Sequence, residues 1–231
     1  FPNTKILRVD RDSTRKKGAM QAVFDVADSG EPCILIGTQM LAKGHHFANV
    51  TLVAVLDADS GLFSPDFRSH ERMGQLLTQV AGRSGRGDLP GKVVIQTHQP
   101  QHPLLEILIN KGYGFFAQQL MSERRITQLP PFRHMALIRA ESDRANEAES
   151  FLRLARSIAE RISPPSPLVT YLGPLPAMLE KRAGRFRFVL QINASKRSLL
   201  QSLLSALALT LEEHKDSRRV RWSIDVDPQE I

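Results

Sequence analysis

The 231-residue sequence predicts an α/β protein in two parts. In the first part, short apolar runs that suit strands alternate with helical patterns. Two of these runs, "CILIGT" and "TLVAVLD", are almost continuously apolar, which is typical of parallel strands covered on both faces. In the second part, alternating strand patterns and two amphipathic helices follow the order βαββαβ. We therefore predict a parallel sheet flanked by helices, followed by a separate α+β domain.

The elements of the first part have recognisable ends. "KILRV" predicts a strand, and Ser13 can cap a helix that runs to about Asp28, where "SGEP" ends it. The two apolar strands follow, then a helix over about Asp66 to Arg83 and the strand "KVVIQT". Prolines at 100 and 103 close this unit.

The second part begins after a long predicted helix, about Leu104 to Arg125, which "LPPF" breaks. "HMALIRAE", "LVTYLGP", "FRFVLQIN" and "RVRWSIDV" predict four strands. Each of the two intervening helices has one apolar stripe. The stripes are Ala148, Phe151, Leu152, Ala155, Ile158, Ala159 and Ile162 in the first, and Leu200, Leu203, Leu204, Leu207 and Leu211 in the second. This order is the split-βαβ or ferredoxin-like arrangement. We predict domains at 1–102 and 133–231, joined by a helix and a Pro-rich turn at 103–132.

Composition narrows the function classes. The net charge is +7, which favours nucleic acid or another acidic partner. Cys33 is the only cysteine, so the chain can build neither a disulfide framework nor a cysteine-based zinc site by itself. We find no signal-peptide pattern and no uncharged stretch long enough to span a bilayer. Because the chain has no initiator Met, we expect it to be part of a longer protein.

The nonamer "QVAGRSGRG" is the clearest candidate for chemistry. Gln79, Gly82, Arg83 and Arg86 follow helical spacing, so a helix would present them on one face. Arginine suits phosphate because its guanidinium stays charged and offers a planar fork of donors. In phosphoryl transfer, arginines from a second domain neutralise charge on the γ-phosphate. The alternative is that these cations simply favour a helix C-terminus that a glycine ends.

A second segment adds context to the nonamer. "ILIGTQMLAKGHHFANVTLVAVLDAD" places Gly-Thr and Lys-Gly between two strands, and the two segments together resemble motifs V and VI of superfamily 2 helicases. Along essentially the whole chain, "GTQMLAKGHHF", "QVAGRSGRG", "QLPPF" and "DVDP" resemble the PriA (primosomal protein N′) family of replication-restart DNA helicases. The resemblance implies that residues up to about Pro100 are most of a second RecA-like motor lobe, and that the rest is the C-terminal domain of that family.

The resemblance also implies roles for individual residues. It assigns Gln79, Arg83 and Arg86 as catalytic residues, Gly37, Thr38 and Gly82 to ATP binding and coupling, and Lys43 to DNA binding. It implies ATP and Mg²⁺ as cofactors, yet the chain contains no G-x-x-x-x-G-K-[ST] phosphate cradle. We therefore expect the ATP cradle and the zinc module of the family to lie outside this chain. We expect no metal site within it, and we expect the chain alone neither to hydrolyse ATP nor to unwind DNA.

Two further features of the second part point to partners. Lys181, Arg182, Arg185 and Arg187 surround Gly184 and Phe186, and Arg218, Arg219 and Arg221 lie near Trp222. Basic residues interleaved with aromatic ones suit nucleic acid, and we predict DNA contact through the first four. The alternative is a solvated face whose aromatic residues point into the core, and for Phe186 and Phe188 we favour the core over stacking on bases.

Arg197 and Gln201 lie one helical turn apart, so a guanidinium and an amide can together receive a carboxylate. The resemblance implies a pocket there for the acidic C-terminal tail of the single-stranded-DNA-binding protein. The alternative is an ordinary exposed helical turn.

Two functions from different classes follow. The first is part of an ATP-dependent 3′–5′ DNA helicase of the bacterial cytoplasm, which recognises stalled or branched forks and restarts replication by primosome assembly. Its partners would be single-stranded and forked DNA, the single-stranded-DNA-binding protein and other primosome proteins. We expect no interaction with a membrane. The alternative is a non-catalytic module that binds nucleic acid and partner proteins. The RNA-recognition fold shares the βαββαβ order, but its K/R-G-F-G-F-V-x-F string is absent.

Overall fold

The computed structural model describes residues 1–10, 18–38, 50–82 and 91–230. The chain divides into two compact units, residues 1–120 and 121–231. Each unit is described by itself below.

The described part of the first unit contains four short strands. Strands β1 (Lys5–Val9) and β2 (Cys33–Gly37) pair in parallel, and so do β3 (Leu52–Val55) and β4 (Lys92–Ile95). Within the described ranges these strands form two separate two-stranded sheets, whereas the sequence predicted one sheet. The helices in the described part of this unit are α1 (Ala19–Asp28), α2 (Asp59–Leu62), α3 (Ser69–Ala81), α4 (Pro103–Lys111) and α5 (Tyr113–Ile126), the last of which continues into the second unit.

The prediction that these strands are covered on both faces is wrong. Ile36 of β2 is 54% exposed and Leu52 of β3 is 57% exposed, while Val9 of β1 is fully buried. An apolar run favours an extended backbone locally, but burial depends on which other elements cover the strand. In the described part of this unit, the apolar core lies mainly among the helices.

That core joins α2, α3, α4 and α5. Its buried members are Leu62, Met73, Leu77, Leu104, Leu105, Leu108, Phe116 and Leu120. Residues 103–120 are therefore packed into the first unit, although the proline pattern placed them in a segment between domains.

The single helix predicted over Leu104 to Arg125 is wrong, because the structure has two. Helix α4 begins with Pro103 at its first position, and the His102 side chain accepts a hydrogen bond from the Leu104 N–H. It ends at Gly112, whose φ of 82° lies in the left-handed region that favours glycine. Apolar residues keep a helical period on both sides of this glycine, so periodicity did not show the break.

The second unit has the predicted element order βαββαβ. Its strands and helices are β5 (His134–Ser142), α6 (Ala145–Ile162), β6 (Val169–Arg182), β7 (Arg185–Ala194), α7 (Arg197–Glu213), a 3₁₀ helix (Lys215–Arg218) and β8 (Arg221–Val226). The four strands form one antiparallel sheet in the order β6-β7-β5-β8. Strand β7 thus lies between the two strands of the first βαβ unit.

The two predicted apolar stripes build the core on one face of this sheet. All five leucines of the α7 stripe are buried, and so is the α6 stripe apart from Ile162, which is 42% exposed. They pack with Ala136, Ile138 and Ala140 of β5. Since side chains alternate along a strand, the residues between these three lie on the opposite face.

Strand β6 is longer than predicted and carries an irregularity. It continues past Pro174 to Arg182 and pairs with β7 to the end. Pro176 is opposite Phe188 and Lys181 is opposite Phe186, so residues 177–180 of β6 face a single residue of β7. Such a bulge bends the strand locally. The sequence did not predict that β6 continues, because the glycine and prolines of "LGPLP" are typical of a strand end.

A glycine-to-alanine pair tests the helical core of the first unit. A Cβ at Gly74 of α3 would overlap the fully buried ring of Phe116, whereas a Cβ at Gly114 of α5 meets nothing within 4 Å. Gly74→Ala should lower the free energy of unfolding by roughly 1–3 kcal/mol through overpacking. Gly114→Ala should leave it unchanged or raise it by up to about 1 kcal/mol. Urea denaturation measures both, and equal stability of the two variants would contradict the packing described.

Candidate nucleic-acid interface

The turn between β6 and β7 presents three cations at the tip of a hairpin. Arg182 and Arg185 pair across the strands, and a two-residue turn, Ala183 and Gly184, joins them. These turn residues have φ values of 49° and 81°, as the hairpin turn of type I′ requires. Lys181, Arg182 and Arg185 are all exposed. The local geometry therefore turns a basic run of the sequence into a compact exposed cluster.

The aromatic residues of this region belong to the core, as predicted. Phe188 is 7% exposed and Phe186 packs against the same core. The Lys181 ammonium lies 4.6 Å from the centre of the Phe186 ring, which favours the cation on the ring face. Phe186 thus positions Lys181 and is not free to stack on a base.

Arg187 differs from the other three residues of this basic run that were predicted to contact DNA. Its Nε donates to Glu141 Oε1 over 3.2 Å, and only 22% of its side chain is exposed. Both residues lie on the sheet face opposite α6 and α7, since they alternate with core residues. Arg187 is therefore set back from the hairpin tip and is paired with an internal carboxylate.

A second basic cluster lies at the start of β8. Arg218, Arg219 and Arg221 are exposed, and Arg221 is opposite Glu141 of β5, which is also opposite Arg187 of β7. The sequence shows this cluster but not its neighbour, because more than thirty residues separate it from the hairpin along the chain. Pairing of β8 with β5 brings it to the hairpin end of the sheet.

Arg197 and Gln201 lie exposed on the first turns of α7. No side chain of the described residues caps this helix, its first turn holds no acidic residue, and Lys196 precedes it. The helix N-terminus carries partial positive charge, so the local field favours an anion. Among the described residues, Arg197 pairs with the carboxylate of Asp227, whose Oδ2 lies 3.2 Å from the guanidinium.

The residues assigned to the nucleotide are only partly described. Gly37 ends β2 and Thr38 follows it, and both are exposed. Gln79 is exposed near the end of α3, and the Gly82 N–H bonds to the Thr78 carbonyl at the C-terminus of that helix. Lys43, Arg83 and Arg86 lie outside the described residues.

Asp59, at the start of α2, holds the chain that follows β4, a role that sequence analysis missed. Its carboxylate accepts hydrogen bonds from the Thr97 hydroxyl (2.5 Å), the His98 backbone N–H (2.9 Å) and the His98 ring (2.6 Å). Together, with Thr97 first, they lower the pKa of Asp59 from 3.8 to about 2. The neighbouring Asp57 accepts a hydrogen bond from the Ser60 N–H. The two carboxylates thus stabilise the strand-end turn.

The described ranges contain neither a cluster of metal-ligating side chains nor a membrane-spanning helix. No group of three or more His, Cys, Asp or Glu residues there is arranged to hold a metal ion. None of the described helices combines the length and apolar character that a membrane crossing requires.

Comparison with known proteins gives consistent matches. The family described as Primosomal protein N C-terminal domain matches residues 125–229, which covers nearly all of the second unit. The replication restart protein PriA of Haemophilus influenzae is 44% identical over 231 residues, which is all of this chain and 31% of that protein. The PriA proteins of Synechocystis and Bacillus subtilis are 39% and 35% identical, over 100% and 99% of this chain and 27% and 28% of theirs.

The chain belongs to the PriA family. It corresponds to the C-terminal portion of PriA and spans about a third of the length of the curated relatives it matches. A solved structure, the de novo designed protein Foldit4, is 12% identical and covers 42% of the chain and 98% of its own, with a TM-score of 0.32, which is too low to carry an argument.

Removal of the Thr97 hydroxyl tests the Asp59 contacts in this PriA chain. Thr97→Val should raise the pKa of Asp59 from about 2 toward 3.8, because its largest stabilising hydrogen bond is lost. As the pKa is depressed in the folded state, these contacts stabilise the fold above pH 3.8 and lose that contribution as the pH falls to about 2. Carboxyl ¹³C NMR titration measures the pKa. Thr210→Val, whose hydroxyl bonds within α7, is the control, and an unmoved Asp59 pKa in Thr97→Val would contradict the assignment.

Proposed function

We propose that this chain provides the second motor lobe and the C-terminal domain of an ATP-dependent 3′–5′ DNA helicase. The protein would recognise stalled or branched forks in the bacterial cytoplasm and restart replication by primosome assembly. The observation that carries the proposal is the nonamer "QVAGRSGRG", which begins near the end of α3, in a chain that matches PriA relatives along its whole length. The first unit would be a RecA-like lobe and the second a ferredoxin-like domain.

The first unit would act on ATP through cations and an amide. Gln79 is exposed near the end of α3, and Arg83 and Arg86 follow it in the sequence. Guanidinium groups fit phosphate oxygens, and arginines from a second lobe stabilise charge on the γ-phosphate. ATP, bound with Mg²⁺ against another lobe, supplies the free energy of phosphoryl transfer. Because Asp57 is engaged within its own turn and Asp59 holds the chain after β4, we assign the Mg²⁺ ligands, like the zinc module, to parts of PriA outside this chain.

The second unit would hold DNA through the hairpin tip. Arg182 and Arg185 are exposed, and no carboxylate in the described part of the chain is paired with either. Cations that have not been neutralised internally are available for phosphates and release counterions on binding. Lys181 extends the same cluster over the Phe186 ring. Arg187 would support the tip through Glu141 more than it would contact DNA.

The N-terminus of α7 would receive a terminal carboxylate. Arg197 and Gln201 offer a guanidinium and an amide on one face, and the helix end adds its partial positive charge. Asp227 already lies against Arg197, which indicates that a carboxylate fits there. The acidic tail of the single-stranded-DNA-binding protein is the ligand proposed.

A non-catalytic binding module is the second candidate, since the hairpin and the α7 terminus both belong to the second unit. DNA-stimulated ATP hydrolysis by full-length protein separates the two functions. Hydrolysis that is lost in Arg86→Ala supports the motor, and no hydrolysis by the wild type supports the binding module.

The hairpin proposal predicts a salt-dependent interaction with forked DNA. Binding of the chain should weaken steeply with salt, and Arg182→Ala/Arg185→Ala should lower the slope of log K against log[salt] by up to about 1.8, for two lost phosphate contacts. Fluorescence anisotropy across a salt series measures the slope. Arg153→Ala/Arg161→Ala on α6 removes the same charge from another exposed surface and should leave the slope unchanged. Equal slopes for the two double variants would contradict the proposal.

The carboxylate proposal predicts that two substitutions have opposite effects on the affinity for the acidic tail peptide. Arg197→Ala should weaken binding of the acidic tail peptide about tenfold, because a charge-assisted hydrogen bond is lost. Asp227→Asn should strengthen it, since the internal competitor for Arg197 loses its charge. Isothermal titration calorimetry measures both, and the same peptide with an amidated C-terminus is the control. If Arg197→Ala binds like the wild type, the pocket is elsewhere.

A further inference from the structure

One end of the four-stranded sheet gathers basic residues from two distant segments. In the antiparallel order β6-β7-β5-β8, this end contains the end of β6, the start of β7, the end of β5 and the start of β8. The hairpin tip and the β8 cluster therefore lie on the same edge of the domain. We call this set the basic rim: Lys181, Arg182, Arg185, Arg218, Arg219 and Arg221.

Strand register gives the spacing within the basic rim. Arg221 of β8 lies at the same level of the sheet as Arg187 of β7, two strands or about 10 Å away. Along β7, Arg187 is two residues or about 7 Å from Arg185. The Cα atoms of Arg185 and Arg221 are thus about 12 Å apart, and those of Arg182 and Arg221 about 16 Å. The major groove of B-DNA is about 12 Å wide. Because arginine side chains are long, two arginine clusters at this separation can reach phosphates on both sides of the groove.

Three arginines of the rim share a face of the sheet. Arg185 and Arg221 each alternate with a residue of the helix-side core, Phe186 and Trp222, so both lie opposite α6 and α7. Arg182 is the cross-strand partner of Arg185 and lies on the same side. One arginine pair of the hairpin and the first arginine of β8 therefore point to one surface, whereas Lys181 lies on the other side of the hairpin, over the Phe186 ring.

Internal carboxylates leave the basic rim charged. Glu141 lies between β7 and β8 on this face, and its recorded ion pair is with Arg187, not with Arg221. Asp216 of the 3₁₀ helix lies 3.6 Å from the His214 ring. No carboxylate within the described ranges is paired with an arginine of the rim. Glu180 is the one acidic residue next to the hairpin cations in the sequence.

The aromatic residues of the second unit argue against a single-strand platform. Proteins that hold single strands without sequence preference stack bases on exposed aromatic rings. Here Phe186 lies beneath Lys181, and Trp222 packs on Phe151 with ring centres 5.8 Å apart. The RNA-recognition fold stacks bases on aromatics of its sheet, whereas β5 and β7 place Arg139, Glu141, Arg187 and Val189 on the corresponding face.

We propose that the basic rim binds the phosphate backbone of double-stranded DNA, with the hairpin and the start of β8 acting as one surface. The inference rests on the proposed function and deepens it, since it assigns the duplex arm of a fork to this surface. Duplex DNA suits a purely cationic contact because it carries one charge per about 1.7 Å, more than a single strand does. Recognition of this kind follows the backbone and carries no base sequence.

The test compares duplex with single-stranded DNA for the whole chain and three double variants. Fluorescence anisotropy is measured across a salt series with a labelled duplex of about 20 base pairs and with a thymine single strand of equal length. The variants are Arg219→Ala/Arg221→Ala at β8, Arg182→Ala/Arg185→Ala at the hairpin, and the control Arg153→Ala/Arg161→Ala on α6. Circular dichroism and thermal unfolding should match the wild type, because every substituted side chain is exposed.

The expected results are specific for each variant. The wild type should bind duplex more tightly than the single strand at equal salt. The β8 and hairpin variants should each lower the duplex salt slope by up to about 1.8, and their combination by up to about 3.6, because each arginine contributes an independent phosphate contact. The control should keep the slope of the wild type.

Three outcomes would overturn the inference. A β8 variant that keeps the slope of the wild type, while the hairpin variant lowers it, overturns the joint surface and leaves the proposed function standing. Single-strand binding as tight as duplex binding overturns the duplex assignment alone. Absence of any DNA binding by the wild-type chain at low salt overturns both the inference and the DNA contact under the proposed function.

Discussion

Packing of two helical stripes against one face of the antiparallel sheet determines the organisation of the second unit. The leucines of α7 and the alanine-rich stripe of α6 bury Ala136, Ile138 and Ala140 of β5. Because strand side chains alternate with a period of two, this burial also assigns every intervening residue to the other face. A slip of one residue would place Glu141 in the core, so the core fixes the register and the register fixes where the charges lie.

Internal carboxylates then distinguish arginines that look alike in the sequence. Arg187 pairs with Glu141 and Arg197 with Asp227. Among the described residues the hairpin arginines have no such partner, since they form the last rung before the turn and lie beyond the end of β5. Exposed ion pairs contribute little to stability. The main effect of these ion pairs is on ligand binding. They determine which arginines can bind an external phosphate or carboxylate without competition from an internal carboxylate.

The first unit of this PriA chain follows a different principle. Its core lies among α2, α3, α4 and α5, and its short strands stay partly exposed. Gly74 allows the Phe116 ring to approach α3 closely, and Asp59 ties the start of α2 to the chain after β4. These contacts position the end of α3, where the nonamer of the candidate nucleotide site begins.

The sequence by itself determined the features that depend on local periodicity: the βαββαβ order, both helical stripes and the burial of Phe188. The break at Gly112, the two separate parallel sheets and the length of β6 were decided by the tertiary structure, because each depends on what packs or pairs at that point. The same holds for the partners of Arg187 and Asp59 and for the approach of Arg221 to the hairpin. These contacts join residues far apart in the chain, and no local pattern encodes which strand lies beside which.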